Sequence, residues 1–169
     1  DVTDGTVQGA AIKPLSSPKL GSADAEDIQA LVDRIKEAKL PVLLLGMRAS
    51  GVKETQAIRH LVAKTGLPVV ETFQGAGIIS RELEEHFFGR VGLFRNQPGD
   101  MLLKRSDLVI AVGYDPIEYE ARNWNAEKDA RVIVIDEVPM EIDPFMQPEV
   151  ELMGSIAKII EQLSKAIDQ

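Results

Sequence analysis

Pro41-Val42-Leu43-Leu44-Leu45-Gly46-Met47-Arg48-Ala49-Ser50-Gly51 is the stretch on which the fold turns. An uninterrupted apolar run closed by glycine is what a β-strand covered on both faces requires. The polar turn after it opens a helix predicted over Val52 to Thr65, with Ile58, Leu61 and Val62 facing inward and Gly66 as its stop. Upstream, acidic residues from Asp24 to Asp27 suit the positive end of a helix, and Ile28, Leu31, Val32 and Ile35 place one buried face on Asp24 to Ala38. Downstream, Leu67 to Thr72, Ser106 to Gly113 and Arg131 to Asp136 read as further strands, with Glu149 to Leu152 as a last one. Pro98 to Arg105 fits a short helix, Ile156 to Ile167 a closing helix, and Ile78 to Val91 carries mixed signals. Apolar strands alternating with helices call for a parallel sheet. The expected fold is α/β, a Rossmann-like doubly wound parallel sheet of about five or six strands with helices on both faces.

Composition narrows the function. The 169 residues carry 19 basic and 27 acidic side chains, a net charge of −8, which argues against nucleic acid, whose binding draws on cations that neutralise phosphates. The same balance disfavours an anionic membrane surface. No apolar run approaches the roughly 20 residues that span a bilayer, and no charged-then-apolar leader opens the chain, so the expected compartment is cytoplasmic. Without cysteine there is no disulfide, thiolate metal site or cysteine nucleophile. Residues 1–20, rich in Gly, Ser and Pro, read as an interdomain linker before a domain over 21–169. A chain that begins at Asp1 is expected to be a piece of something longer.

Few residues signal chemistry. Gly46, Arg48 and Gly51 lie in the first strand-to-helix turn, where such folds receive phosphates on helix N-terminal amides. A P-loop needs Lys at Val52, and a dinucleotide fingerprint needs glycine at Arg48. The turn therefore serves either geometry alone or a diphosphate or carboxylate contact through its amides and Arg48. Asp136 ends a strand, from where its carboxylate accepts hydrogen bonds from a ribose or caps the following turn. Arg95, in the polar run to Asp100, is expected on the same sheet edge, as are Tyr114, Tyr119 and Trp124, which line a ligand or dock their own loop. His60 and His86 lack partners at ligand spacing, and no Gly-x-Ser-x-Gly elbow occurs, so the catalytic and metal residues expected are none.

The order of segments is more specific than any one motif. Pro41 to Gly46, Leu61 to Phe73 with Thr65-Gly66-Leu67-Pro68-Val69, Gln74-Gly75-Ala76-Gly77, the strand to Gly113, and Val134-Ile135-Asp136 together resemble the central domain of thiamine-diphosphate-dependent enzymes of the acetolactate synthase type. The resemblance covers nearly everything after Gly21. Where the FAD-holding biosynthetic branch has a glycine-rich turn, this chain has Gly46-Met47-Arg48. Where that branch has Gly-Met-His-Gly, it has Gly89-Arg90-Val91-Gly92, and Gly-x-Arg-Phe-Asp-Asp becomes Gly113-Tyr114-Asp115-Pro116. These departures, with Gly92 to Asp100 and Gly113 to Tyr119, look like the catabolic, FAD-independent branch.

The resemblance implies a parent enzyme that condenses two pyruvates to 2-acetolactate and carbon dioxide with thiamine diphosphate and Mg2+, both bound outside this segment. It also implies partners in an N-terminal pyrimidine-binding and a C-terminal diphosphate-binding domain, and a homo-oligomeric parent. The activating glutamate and the Gly-Asp-Gly metal motif belong to those domains, so the segment alone is expected to be inactive and FAD is not expected. The alternative is a domain that binds FAD or an adenine nucleotide, as in acetohydroxyacid synthase or a related oxidase or decarboxylase.

Overall fold

The computed structural model describes residues 18–141 and 143–167, together with Gly9 and Ser16. The expected linker therefore lies mostly outside the described residues. In chain order the elements are α1 (Ala25–Glu37), β1 (Pro41–Leu45), α2 (Val52–Thr65), β2 (Val69–Thr72), β3 (Phe87–Val91), α3 (Pro98–Arg105), β4 (Leu108–Val112), β5 (Arg131–Asp136), β6 (Val150–Met153) and α4 (Ile156–Ala166). All six strands run parallel in the order β3-β2-β1-β4-β5-β6. The order reverses between β1 and β4, which opens a crevice at their carboxyl ends.

Alternation along β1 explains the two layers. Leu43 and Leu45 face α1, α2 and α4, joining Ile28, Leu31, Ile58, Leu61, Ile160 and Leu163. Val42 and Leu44 face the opposite layer. Each fully buried side chain of this size contributes about 1.5–3 kcal/mol relative to exposure. Gly66 ends α2 in the left-handed region, at φ 68°, with its N–H donating to the Val62 carbonyl at 2.8 Å.

Among the described residues the second layer holds one α-helix, α3; the loops after β4 and β5 supply much of the remainder. Tyr114, Tyr119 and Trp124 are all buried there with Leu103 and Met146. Trp124 meets Tyr114 edge-on, with ring centroids 6.5 Å apart, and donates from Nε1 to the Tyr114 hydroxyl at 3.4 Å. Tyr114 donates to the Tyr119 carbonyl, and the Tyr119 hydroxyl donates to buried Asp100. Asp100 also accepts the Gln97 N–H at 2.8 Å at the start of α3. Burial pushes both tyrosine hydroxyls above their ordinary pKa. These aromatics thus dock their own loop.

β3 is the element the sequence left unassigned. It is an edge strand, its pairing with β2 shifts register between Val69 and Glu71, and its first four side chains alternate between part-buried and exposed before buried Val91. Beyond β2, buried Glu71 accepts the N–H groups of Gly77 at 3.2 Å and Ile79 at 2.8 Å, which fixes the Gln74 to Gly77 loop. Among the described residues no helix is long and apolar enough to cross a membrane.

Candidate functional site

Two glycines bring the turns after β1 and β4 into contact. A Cβ on Gly46 would stand 2.4 Å from the Gly113 carbonyl oxygen and the Tyr114 Cα. A Cβ on Gly113, itself at φ 57°, would stand 2.4 Å from the Ala49 nitrogen. Backbone bonds then lock the turns: Gly46 N–H to the Val112 carbonyl at 2.9 Å, and Arg48 N–H to the Gly113 carbonyl at 3.0 Å. Residues Met47–Ser50 form a short 3-10 turn, and Gly51 stands at the N-terminus of α2, close to the Glu54 side chain.

Arg48 lies across the end of β4. Its Nε and Nη2 each donate to the Asp136 carboxylate at 2.8 Å, Nη1 donates to Asp115 at 3.0 Å, and Nη2 also reaches the Tyr114 carbonyl at 3.2 Å. The two-point fork fits a planar guanidinium and would not fit a lysine. Hydrogen bonding to Asp136, opposed by burial and helped by Asp115, raises the pKa of Arg48. Asp115 is held below the usual carboxylate value by the Ile117 N–H and then by Arg48, against some burial. Asp136 also accepts the Glu137 N–H at 2.7 Å, so it caps its turn while pairing with Arg48.

The sequence reading overlooked Glu118. Its Oε1 accepts the N–H groups of Met47 at 3.1 Å and Asp115 at 3.3 Å, and its Oε2 accepts the Thr72 hydroxyl at 2.5 Å. An anion supplied by the chain itself thus occupies amides at the switch point. The Met47 and Asp115 amides and the Arg48 guanidinium are thereby engaged within the chain and are not open to a dinucleotide diphosphate. No local pattern marks Glu118 for this; only the fold of the loop brings it back over β1.

Of the residues singled out from sequence, Gly46, Arg48 and Asp136 come together, with Gly51 one turn away. Arg95 does not join them. It lines a neighbouring hollow of about 300 Å³ with Leu93, Phe94, Ile117 and Glu118, the last of which borders both. Among the described residues, no three His, Cys, Asp or Glu side chains converge as metal ligands.

Six parallel strands, the reversal between β1 and β4 and the interlocked glycine turns define a Rossmann-like domain with its crevice bridged by side chains. The family described as the central domain of thiamine pyrophosphate enzymes matches residues 28–163, and the chain belongs to that family. It is 44% identical over 163 residues to an acetolactate synthase of Bacillus subtilis, covering 96% of this chain and 29% of that protein. A catabolic acetolactate synthase of Raoultella terrigena is 34% identical over 168 residues, covering 99% of this chain and 30% of the relative. The chain thus spans under a third of the length of these relatives. A solved structure attributed to a thiamin diphosphate-dependent enzyme from Mycobacterium smegmatis superposes with a TM-score of 0.68 at 21% identity, over 94% of this chain and 30% of that one.

Proposed function

We propose that this chain is the central domain of a catabolic acetolactate synthase, whose whole polypeptide condenses two pyruvates to 2-acetolactate with release of carbon dioxide, and that this domain holds no FAD. The observation that carries the second half is the engagement of the switch-point crevice by Arg48, Asp136, Asp115 and Glu118. The first half draws on the similarity to the acetolactate synthase of Bacillus subtilis and the catabolic acetolactate synthase of Raoultella terrigena. Thiamine diphosphate, when bound, supplies the electron sink for decarboxylation, and in this reading it sits with Mg2+ in the flanking pyrimidine-binding and diphosphate-binding domains. The residues of this chain do no proton or carbon chemistry. They tie the ends of β1, β4 and β5 into one rigid edge, and so join the cofactor-binding domains at a fixed geometry.

The competing reading, a domain that binds FAD or an adenine nucleotide, is favoured by the strand order alone. Thermal unfolding of the chain with FAD and with ADP separates the two. The expected result is no saturable shift with either ligand and no acetolactate formed from pyruvate by this segment alone. A saturable stabilisation of about 1 kcal/mol or more, which follows once ligand exceeds its dissociation constant several-fold, overturns the reading.

A further inference from the structure

Away from the switch point, one hollow gathers cations in a chain where they are the minority. Arg95 from the loop after β3, Lys104 from the last turn of α3 and Arg122 from the loop after β4 border a cavity of about 310 Å³. With 27 acidic residues against 19 basic ones, three cations around one cavity run against the composition. Arg95 and Lys104 make no ion pair among the described residues. Arg122 reaches Glu120 at 3.9 Å, with the two side chains 64% and 66% exposed. Such a pair contributes little in water and yields readily to a ligand.

Of the residues lining the hollow, Asp100 alone carries a carboxylate, and it is already engaged. It is buried, with one oxygen accepting the Tyr119 hydroxyl and the other the Gln97 N–H. It makes no ion pair with any of the three cations. Three positive charges against one negative leave an excess of two, and a cleft lined by one sign of charge concentrates ligands of the other. Lys104 needs no carboxylate of the chain to hold it there, because a cation in the last turn is favoured by the helix dipole.

The two arginines arrive with the same neighbour. Arg95-Asn96 and Arg122-Asn123 both line the hollow, each pair on its own loop. Asn96 stands at φ 58°, in the left-handed region that asparagine enters more readily than most residues, just ahead of α3. A guanidinium presents parallel N–H groups that match one carboxylate, and an asparagine amide adds a further donor beside it.

From this duplication we infer that the hollow binds a small dicarboxylate, one carboxylate on each arginine-asparagine pair, with Lys104 as a third cation. The charge of such a ligand equals the excess in the hollow. The volume lies at the lower end of small-molecule sites, about 300–1,000 Å³, so a short-chain diacid fits and a dinucleotide does not. Arg48, Asp115, Glu118 and Asp136 do not line it, which sets it apart from the bridged crevice. Its cations are exposed, so the binding is sensitive to salt.

The test is isothermal titration of the full-length protein with succinate, at low ionic strength and with acetate as the one-carboxylate control. Arg95→Gln and Arg122→Gln remove the two forks, and Arg105→Gln removes an exposed charge next to Lys104 that does not line the hollow. The expected result is saturable succinate binding, millimolar or tighter, weakened at least tenfold by Arg95→Gln and by Arg122→Gln and unchanged by Arg105→Gln. Acetate should bind at least tenfold more weakly than succinate. No saturable heat with succinate overturns the inference, as does equal affinity for acetate. Equal losses in all three variants would reduce the site to general surface charge and overturn it too. Inorganic phosphate that binds more tightly than succinate with the same dependence on Arg95 and Arg122 overturns the assignment to a dicarboxylate.

Discussion

The Arg48 guanidinium grips the Asp136 carboxylate through two nitrogens, each at 2.8 Å, and in doing so ties the turn after β1 to the end of β5 over the top of β4. Asp136 is 1% exposed, so its charge has little recourse to water. Arg48→Met is expected to destabilise the domain by about 2–3 kcal/mol, because a buried carboxylate loses its charged partner. Urea unfolding checks this, and adding Asp136→Leu to the same chain should restore part of the loss, since the pair is then removed together.

Gly113→Ala should be among the most damaging small substitutions. The positive φ costs about 1–2 kcal/mol for a residue with a Cβ, and that Cβ would press on the backbone of Arg48 and Ala49. A loss of about 2–4 kcal/mol in denaturant unfolding is expected once overpacking is added.

Glu118 occupies amides that would otherwise be open to an anion. In Glu118→Ala those N–H groups of Met47 and Asp115 are freed. Millimolar inorganic phosphate should therefore raise the melting temperature of the variant more than that of the wild type, a difference read by calorimetry in matched ionic strength.

Much of this was legible in advance, for reasons that can be named. The strands β1, β4 and β5 are continuous apolar runs because both faces are covered, and the short helix expected over Pro98 to Arg105 is α3, which opens on its proline. β3 was not visible because it is an edge strand: Phe87-Phe88-Gly89-Arg90-Val91 mixes exposed and buried positions, and Gly89 sits at φ 99°. In the site, Arg48 and Asp136 could be nominated from their places at strand ends. Their pairing, and the return of Glu118 over Met47, depend on how the loop after β4 is docked by Tyr114, Tyr119 and Trp124. Nothing within a few residues of Glu118 encodes that contact.

The aromatic docking gives its own test. Tyr119→Phe removes the hydroxyl that donates to Asp100 and leaves that buried carboxylate with the Gln97 N–H. A cost of about 1–3 kcal/mol is expected. Trp124→Ala, which empties the same layer, should cost about 3–5 kcal/mol.

Acid should weaken the Arg48 bridge from the Asp115 side. The Ile117 N–H and Arg48 lower the Asp115 pKa in the folded chain, so its contribution is present above the unfolded value of about 3.9 and is lost as pH falls through the lower folded value. The melting temperature of wild type should exceed that of Asp115→Asn near neutral pH, and the gap should close toward strongly acidic pH. A gap that stays constant on acidification would remove Asp115 from the bridge.

The most direct measurement is made on the full-length protein purified without added flavin, assayed with pyruvate, thiamine diphosphate and Mg2+, and then denatured to release any bound chromophore. The predicted result is acetolactate formation at a rate unchanged by added FAD, with no flavin absorbance in the denatured supernatant. Stoichiometric FAD in that supernatant, or turnover that depends on adding it, would contradict the reading of a crevice closed by Arg48 and Glu118.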